Sequence, residues 1–354
     1  MEYELAHGPE SSNWPGPWPY ECDRKLRVLT DFKRWKASEW SIFITAMTPT
    51  VVVAVLKNTH PQQALSMLMF SAFVHLISSP FIPEENIAIA QTIINYWRKI
   101  RTQTWGEYSR TIKSHEVLHI PHKITVNGPP RAYSGFSGEN IVGVLGRLIT
   151  SKSKKNAATQ MRDRYSIDHK LQVFQFDYEI DPKVEKVMQS RNRRVKERGF
   201  ESTLSIDDEY FRMIKARCGD GNVTLQSRMF VKNVRYDVYD DGNYSNSVLY
   251  YKDNFDGISI GLLKRISVCA GETVMCVLKL RKMLMMNSLP KEMFTGAPLA
   301  ELKYALRCFF VIKNPCTEGE RIVIKPEQIL FKGLLVPYDT VFHVVPLDLS
   351  FEHN

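Results

Sequence analysis

The chain has 354 residues, of which 44% are hydrophobic and 24% are charged. This balance excludes an intrinsically disordered chain and provides a sizeable buried core, and the length favours two or three domains. The net charge of +9 favours a polyanionic partner such as nucleic acid.

Residues 1–29 are predicted to form an irregular arm. They contain Trp14-Pro-Gly-Pro-Trp-Pro19 and show little hydrophobic periodicity. The first residues lack a basic segment followed by an apolar one, which argues against a secretory signal. The six cysteines of the chain form no C-x-x-C pair, so neither a zinc site nor a disulfide framework is predicted, and a reducing compartment is favoured.

Residues 30–165 are predicted to form an all-helical domain. Apolar residues recur at helical spacing from 61 to 77 and from 84 to 101, and Pro49 is predicted to separate an earlier helix from the apolar run that follows it. The stretch from 60 to 83 carries no Asp, Glu, Lys or Arg and is long enough for a membrane span. Its terminal prolines and internal polar side chains favour a buried core helix instead, and no membrane partner is expected.

His115 and His119 lie one helical turn apart in the following segment. On an α-helix this spacing places both imidazoles on one face, where they could bind a metal ion. The sequence offers no evident third or fourth ligand. Core histidines with satisfied hydrogen bonds are therefore the favoured interpretation.

A short amphipathic helix is predicted after the turn at Asn127–Pro130. Ser137 can cap this helix, and Glu139 then lies in its first turn, where unpaired backbone N–H groups favour a carboxylate. An acid in this position is most often a partner of the helix dipole. A catalytic role for Glu139 therefore depends on what surrounds it.

A basic patch follows this helix. It is defined by Arg147, Lys152, Lys154, Lys155, Arg162 and Arg164. Such a cluster favours DNA or another polyanion as a partner. The alternative is a solvated linker that its own charges keep extended.

Residues 166–220 are predicted to form a basic linker with a helix, and residues 221–354 a β-rich domain. Short alternating runs, such as Met229–Val238 and Thr273–Leu280, are separated by turn sequences. Strands at this density favour a small barrel or a sandwich. The predicted fold class is therefore α+β, with an all-helical N-terminal region followed by a β-rich C-terminal region.

Tyrosines are dense in the β-rich region. The set comprises Tyr236, Tyr239, Tyr244, Tyr250 and Tyr251. They could form an aromatic cage or a stacking platform for a ligand. The favoured alternative is that they are strand formers that pack across a sheet.

Three motifs, in a fixed order, resemble a known family. They are Phe32-Lys-Arg-Trp-Lys-Ala-Ser-Glu-Trp40, the run from His115 to Pro121, and the run from Phe136 to Arg147. They are similar to the C-terminal part of the transposases of En/Spm (CACTA)-like DNA transposons, in the form carried by insects and other invertebrates. The resemblance is strong over residues 22–155 and weaker over 220–350.

The resemblance implies the end of a ribonuclease H-like core, in which three acidic residues hold two divalent metal ions. It implies that Glu139 is the third acid. Glu39 is the second candidate, and its alternative role is that of a helix-surface or interface acid. The two aspartates of the family would lie upstream of this chain, and a single carboxylate cannot hold two metal ions. Glu139 is therefore expected to bind Mg²⁺ or Mn²⁺ only if a partner completes the core, and no cofactor is expected for the chain alone.

The expected function is that of a transposase-derived nuclear protein. It would be catalytically inactive alone and would bind DNA with low specificity through the basic patch. Two alternatives stay open. The chain could be a protein-interaction module that uses its β-rich domain, or the C-terminal part of a split transposase that needs an upstream polypeptide for metal-dependent strand transfer.

Overall fold

The structure is a computed structural model that describes residues 19, 22, 26–79, 81–130, 156–177, 209–218, 223–232, 234–239, 246–253, 257–269, 272–313 and 319–347. The chain divides into two compact units. One comprises Met1–Ala132 with Arg198–Glu352, and the other comprises Tyr133–Glu197 with His353–Asn354.

The helices of the first unit follow a short 3₁₀ helix at Leu29–Arg34. They are α1 (Ala37–Leu56), α2 (Pro61–Ile77), α3 (Glu84–Trp105), α4 (Ile112–Glu116) and α5 (Ile120–Asn127), with 3₁₀ turns at Glu107–Ser109 and Val117–His119. The second unit contributes α6 (Ala157–Asp177), which runs across the predicted boundary at residue 165. Helices α7 (Glu209–Cys218) and α8 (Leu299–Ala305) belong to the first unit.

Helix α1 runs through Pro49, so the prediction that Pro49 divides this segment is wrong. Residues Phe43–Val52 form a π-helix, whose wider turns leave room for the proline ring and do not need its missing N–H at the usual position. The hydroxyl of Thr50 donates a hydrogen bond to the carbonyl of Ala46 at 2.6 Å. The carbonyl of Ala46 thus has a side-chain donor within this segment.

Helices α1 and α2 form the centre of the helical core. By length and composition, α1 could cross a membrane, and 50% of its most apolar stretch is buried inside the protein. Val53 and Leu56 of α1 pack with Leu65 and Leu68 of α2 in one hydrophobic cluster. The uncharged stretch that contains α2 is therefore a buried core helix, as the sequence predicts.

The C-terminal region forms a curled antiparallel sheet of nine strands, a half-barrel. Its strands are β1 (Val223–Gln226), β4 (Val248–Lys252), β5 (Ile258–Cys269), β6 (Glu272–Leu280), β7 (Met283–Leu284), β8 (Phe310–Ile312), β9 (Gly319–Ile324), β10 (Ile329–Tyr338) and β11 (Val341–Pro346). Their order is β7-β8-β11-β10-β4-β5-β6-β9, with β1 beside β5. Strands β2 (Arg228–Val231) and β3 (Val234–Asp237) form a separate hairpin.

Alternating residues of the strands pack on opposite faces of the sheet. Leu334 and Val336 of β10 join the cluster that contains the helices, whereas Leu335 between them packs with Val248 and Tyr250 on the other face. The helices predicted within residues 30–165 and the sheet predicted within 221–354 therefore share one hydrophobic core. The α+β fold class, with a helical N-terminal and a β-rich C-terminal region, is confirmed.

Candidate functional site

Glu139 and most of the basic patch lie outside the described residues. This applies to Arg147, Lys152, Lys154 and Lys155. Arg162 and Arg164 lie on α6, where both side chains are exposed, and Arg162 pairs with Asp163 at 2.8 Å. The roles assigned to Glu139 and to the basic patch stay predictions.

Glu39 lies in the first turn of α1 and its side chain is only 1% exposed. Arg27 binds both carboxylate oxygens, with Nε to Oε1 and Nη2 to Oε2 distances of 2.7 Å each. The backbone N–H of Lys36 donates to Oε2 at 2.8 Å. The hydrogen bond from Arg27, together with that N–H, outweighs desolvation and lowers the pKa of Glu39 to about 2. These contacts support the alternative role of Glu39 as an interface acid, and its role as a metal ligand stays a prediction.

The aromatic residues around Glu39 form a cluster. Trp35 is buried, with its ring centre 4.9 Å from that of Trp40 and 5.4 Å from that of Phe43. Trp40 and Phe43 lie one helical turn apart on α1, 5.9 Å between ring centres. The Trp-Lys-Ala-Ser-Glu sequence thus combines an anchoring ion pair with an aromatic face.

That aromatic face opens onto a cleft with two lobes of about 420 Å³ and about 300 Å³, which share Trp97, Arg101, Thr111 and Ser114. We name it the tryptophan cleft. Its apolar lining consists of Trp40, Phe43, Ile44, Met67, Phe70, Trp97, Trp105, Ile112 and Val117. Its basic lining consists of Arg98, Arg101, Arg110, Lys113 and His115.

The chain turns sharply after α3 to form one wall of this cleft. Helix α3 ends at Gly106, whose φ of 73° lies in the left-handed region that glycine tolerates best. The buried Ser109 hydroxyl donates to the carbonyl of Gly106 at 2.8 Å. Thr111 then caps α4 by accepting from the backbone N–H of Ser114 at 3.1 Å. The segment from 107 to 114 is thereby folded back against α3.

Arg101 lies where the two lobes meet. Its guanidinium carbon is 5.1 Å from the ring centre of Trp97 and 6.0 Å from that of Trp105, which is cation–π geometry. Its Nε donates to the carbonyl of Ser109 at 3.2 Å. The guanidinium plane is therefore held by two indoles and one backbone carbonyl.

The cleft is positively charged. Arg110 pairs with Glu107 at 2.8 Å, and both side chains are exposed. Within the part of the chain that the structure describes, no carboxylate pairs with Arg98, Arg101 or Lys113, and no acidic residue lines either lobe. The site therefore favours a ligand that is both aromatic and anionic.

Ser66 of α2 also lines the larger lobe. Its side chain is buried, and its Oγ has no hydrogen-bond partner among the described residues. A buried hydroxyl without a partner costs about 1–3 kcal/mol.

His115 and His119 face each other across one helical turn. Their Nε2 atoms are 3.1 Å apart and both side chains are exposed, so the interpretation of the pair as core histidines is wrong. Two metal–nitrogen bonds of about 2.0–2.1 Å meeting at one ion span a similar distance. The described residues contain no group of three or more metal-ligating side chains. The pair, which shares a ring–ring hydrogen bond, offers two nitrogen ligands to a divalent ion.

We expect one Zn²⁺ site that depends on this pair. Isothermal titration of the full chain at pH 7.5 should show binding that His119→Gln removes and His122→Gln, the matched exposed control, retains. Unchanged binding by His119→Gln would contradict the assignment.

Three of the five tyrosines pack inside the protein and do not form a platform. Tyr236, Tyr250 and Tyr251 are buried, and the Tyr250 hydroxyl donates to the carbonyl of Cys308 at 2.7 Å. Burial raises the pKa of both Tyr250 and Tyr251. The interpretation of these three as packed strand residues is confirmed, whereas Tyr244 lies outside the described residues.

No sequence pattern indicated the tryptophan cleft as a whole. A signal was present in α3, because Trp97, Arg101 and Trp105 recur every fourth residue and therefore lie along one helix face. The remaining walls come from α1 and α2, which no local pattern connects to α3. Comparison with known proteins finds no match for this chain among protein-family models, curated proteins or solved structures.

Proposed function

We propose that the chain is a transposase-derived nuclear protein that binds DNA with low sequence preference and does not catalyse strand transfer alone. The three motifs that resemble En/Spm (CACTA)-like transposases support the first part, and the net charge of +9 supports the second. The observation that carries DNA binding is the exposure of Arg162 and Arg164, the two residues of the basic patch that the structure describes. Cations of this kind contact phosphates, which are the same in every DNA sequence.

The proposal includes a remnant of a ribonuclease H-like core in the helical region, with Glu139 as its third acid. In that role Glu139 would hold Mg²⁺ or Mn²⁺ together with acids from an upstream polypeptide. The contacts of Glu39 with Arg27 leave its oxygens occupied, which supports Glu139 over Glu39 for this role.

The basic patch is expected to give DNA binding a steep salt dependence. Each phosphate that a cation neutralises contributes a slope of about −0.9 to the dependence of log K on log salt. The Arg162→Gln/Arg164→Gln double variant should therefore make that slope shallower by up to about 2 and weaken binding roughly tenfold at low salt. Fluorescence anisotropy with two labelled duplexes of unrelated sequence, at a series of salt concentrations, measures both quantities.

A matched control removes the same charge elsewhere. Lys291 and Lys303 are exposed residues outside the basic patch, and the Lys291→Gln/Lys303→Gln double variant should retain the wild-type slope. Duplex binding that is absent, or that does not change with salt, would reject the proposed function. Equal slopes for the two double variants would reject the patch as the contact.

A further inference from the structure

We propose that the tryptophan cleft binds unpaired DNA, with one base held among its indole rings and a neighbouring phosphate held by the cations of its rim. This inference rests on the DNA binding proposed above and assigns it a second contact, specific for single strands. Three observations support it: the exposed indoles, the unneutralised cations and the position of Arg101.

The apolar lining suits the face of a base. Trp105 is 44% exposed and Trp40 is 37% exposed, although indoles are mostly buried in folded proteins. Both line the larger lobe, whose volume of about 420 Å³ lies within the range of small-molecule sites. Aromatic side chains in a basic groove are the usual means by which proteins hold single strands, because every base offers a π face.

The cations suit a phosphate beside that base. Arg98 lines the smaller lobe and Lys113 lines the larger one, and no described carboxylate pairs with either. Arg101 lines both lobes, and its Nε is already fixed on the carbonyl of Ser109. Its terminal nitrogens are therefore oriented in advance, which lowers the entropy cost of binding an anion.

The cleft therefore combines a stacking surface with an anion site.

These features favour an unpaired strand over a duplex. In a duplex the faces of the bases are covered by their neighbours, so indoles within a concave cleft cannot stack on them. An unpaired base can leave its neighbours and enter the cleft at small cost. The basic patch, in contrast, needs only phosphates and serves either form.

The test compares single-stranded and duplex binding by the full chain. Anisotropy with a labelled 12-nucleotide oligothymidylate should show about tenfold weaker binding for Trp105→Ala, as expected for the loss of one stacked base, with duplex binding unchanged. Phe81→Ala removes another exposed aromatic ring, outside the cleft, and should bind as wild type. Circular dichroism verifies that both variants are folded.

A second matched pair tests the phosphate contact. Arg98 and Lys99 are neighbouring exposed residues of α3, and only Arg98 lines the cleft. Arg98→Gln should weaken oligothymidylate binding severalfold, whereas Lys99→Gln should leave it unchanged.

Equal binding of oligothymidylate by Trp105→Ala, Arg98→Gln and wild type, with duplex binding intact, overturns the cleft proposal but not the proposed function. If the wild-type chain binds neither single-stranded nor duplex DNA, the proposed function itself is rejected. Thymidine monophosphate that binds as tightly as the oligonucleotide would identify a free nucleotide as the ligand and overturn the strand assignment.

Discussion

Glu39→Gln is expected to lower the free energy of unfolding by about 1–2 kcal/mol at pH 7, less than the range for breaking a fully buried ion pair. Glu39 is 1% exposed, whereas its partner Arg27 is 39% exposed and regains water when the pair is lost. The pKa of Glu39, lowered to about 2, gives the same direction, because the folded protein favours the charged carboxylate. Urea denaturation followed by tryptophan fluorescence measures the difference, because Trp35 and Trp40 lie beside this carboxylate.

The effect has a defined pH dependence. Because folding lowers the pKa of Glu39, its stabilisation is fully present above about pH 4.5 and is lost as the pH falls towards 2. The stability difference between wild type and Glu39→Gln should therefore shrink below pH 4.5. Glu116→Gln removes an exposed helical carboxylate and should change stability by less than about 0.5 kcal/mol. If Glu39→Gln were as stable as wild type at pH 7, the ion pair would not hold the start of α1 in place.

The helices were the most predictable part of the fold, because the apolar residues of each buried helix face recur every three to four residues in the sequence. The spacing of apolar residues from 61 to 77 and from 84 onward locates α2 and α3 almost to the residue. Pro49 misled the prediction since a proline is normally incompatible with a helix interior. The π-helical turns that accommodate it leave no recognisable pattern in the sequence.

The shared core could not be predicted from the sequence. The alternation of apolar residues assigns Leu334 to one face of its strand, but this pattern does not indicate which element packs on that face. In the structure it is covered by helices more than two hundred residues away along the chain. Likewise, the alternation in the strands predicts antiparallel sheet, while the half-barrel depends on pairings such as β10 with β4, which are distant in sequence.

The residues of the candidate site likewise fall into those that a local sequence pattern indicates and those that only tertiary packing brings together. Glu39 was recognised as a notable acid, but its partner Arg27 is twelve residues away with no periodic relation to it. The spacing of Trp97, Arg101 and Trp105 is visible in the sequence, whereas the contributions of Trp40 and Ser66 depend on how α1 and α2 pack. Side chains on one helix face are predictable, and clefts between helices are not.

Phe309→Ala is expected to lower the free energy of unfolding by about 3–5 kcal/mol, the range for removing a buried phenylalanine. Phe309 is 1% exposed and lies just before β8, where it joins the core that helices and sheet share. Its ring meets the edge of His75 in α2 with 4.6 Å between ring centres, and Nε2 of His75 lies 2.7 Å from the carbonyl oxygen of Thr45 in α1. A cavity at this position therefore removes contacts from a strand and from two helices at once.

Because the helices and the sheet share one core, the loss of stability in Phe309→Ala should affect both of them together. Hydrogen–deuterium exchange by mass spectrometry at intermediate urea should show that peptides from α2 and from β10 lose protection in a single transition in wild type, and at lower urea in Phe309→Ala. Phe81→Ala, which removes a ring that is 77% exposed, should change stability by less than about 0.5 kcal/mol. If peptides from α2 opened while those from β10 stayed protected, the helices and the sheet would be independent domains. If peptides from both elements lose protection in a single transition, the helical region, with its cation-rich cleft, is stable only when packed on the half-barrel.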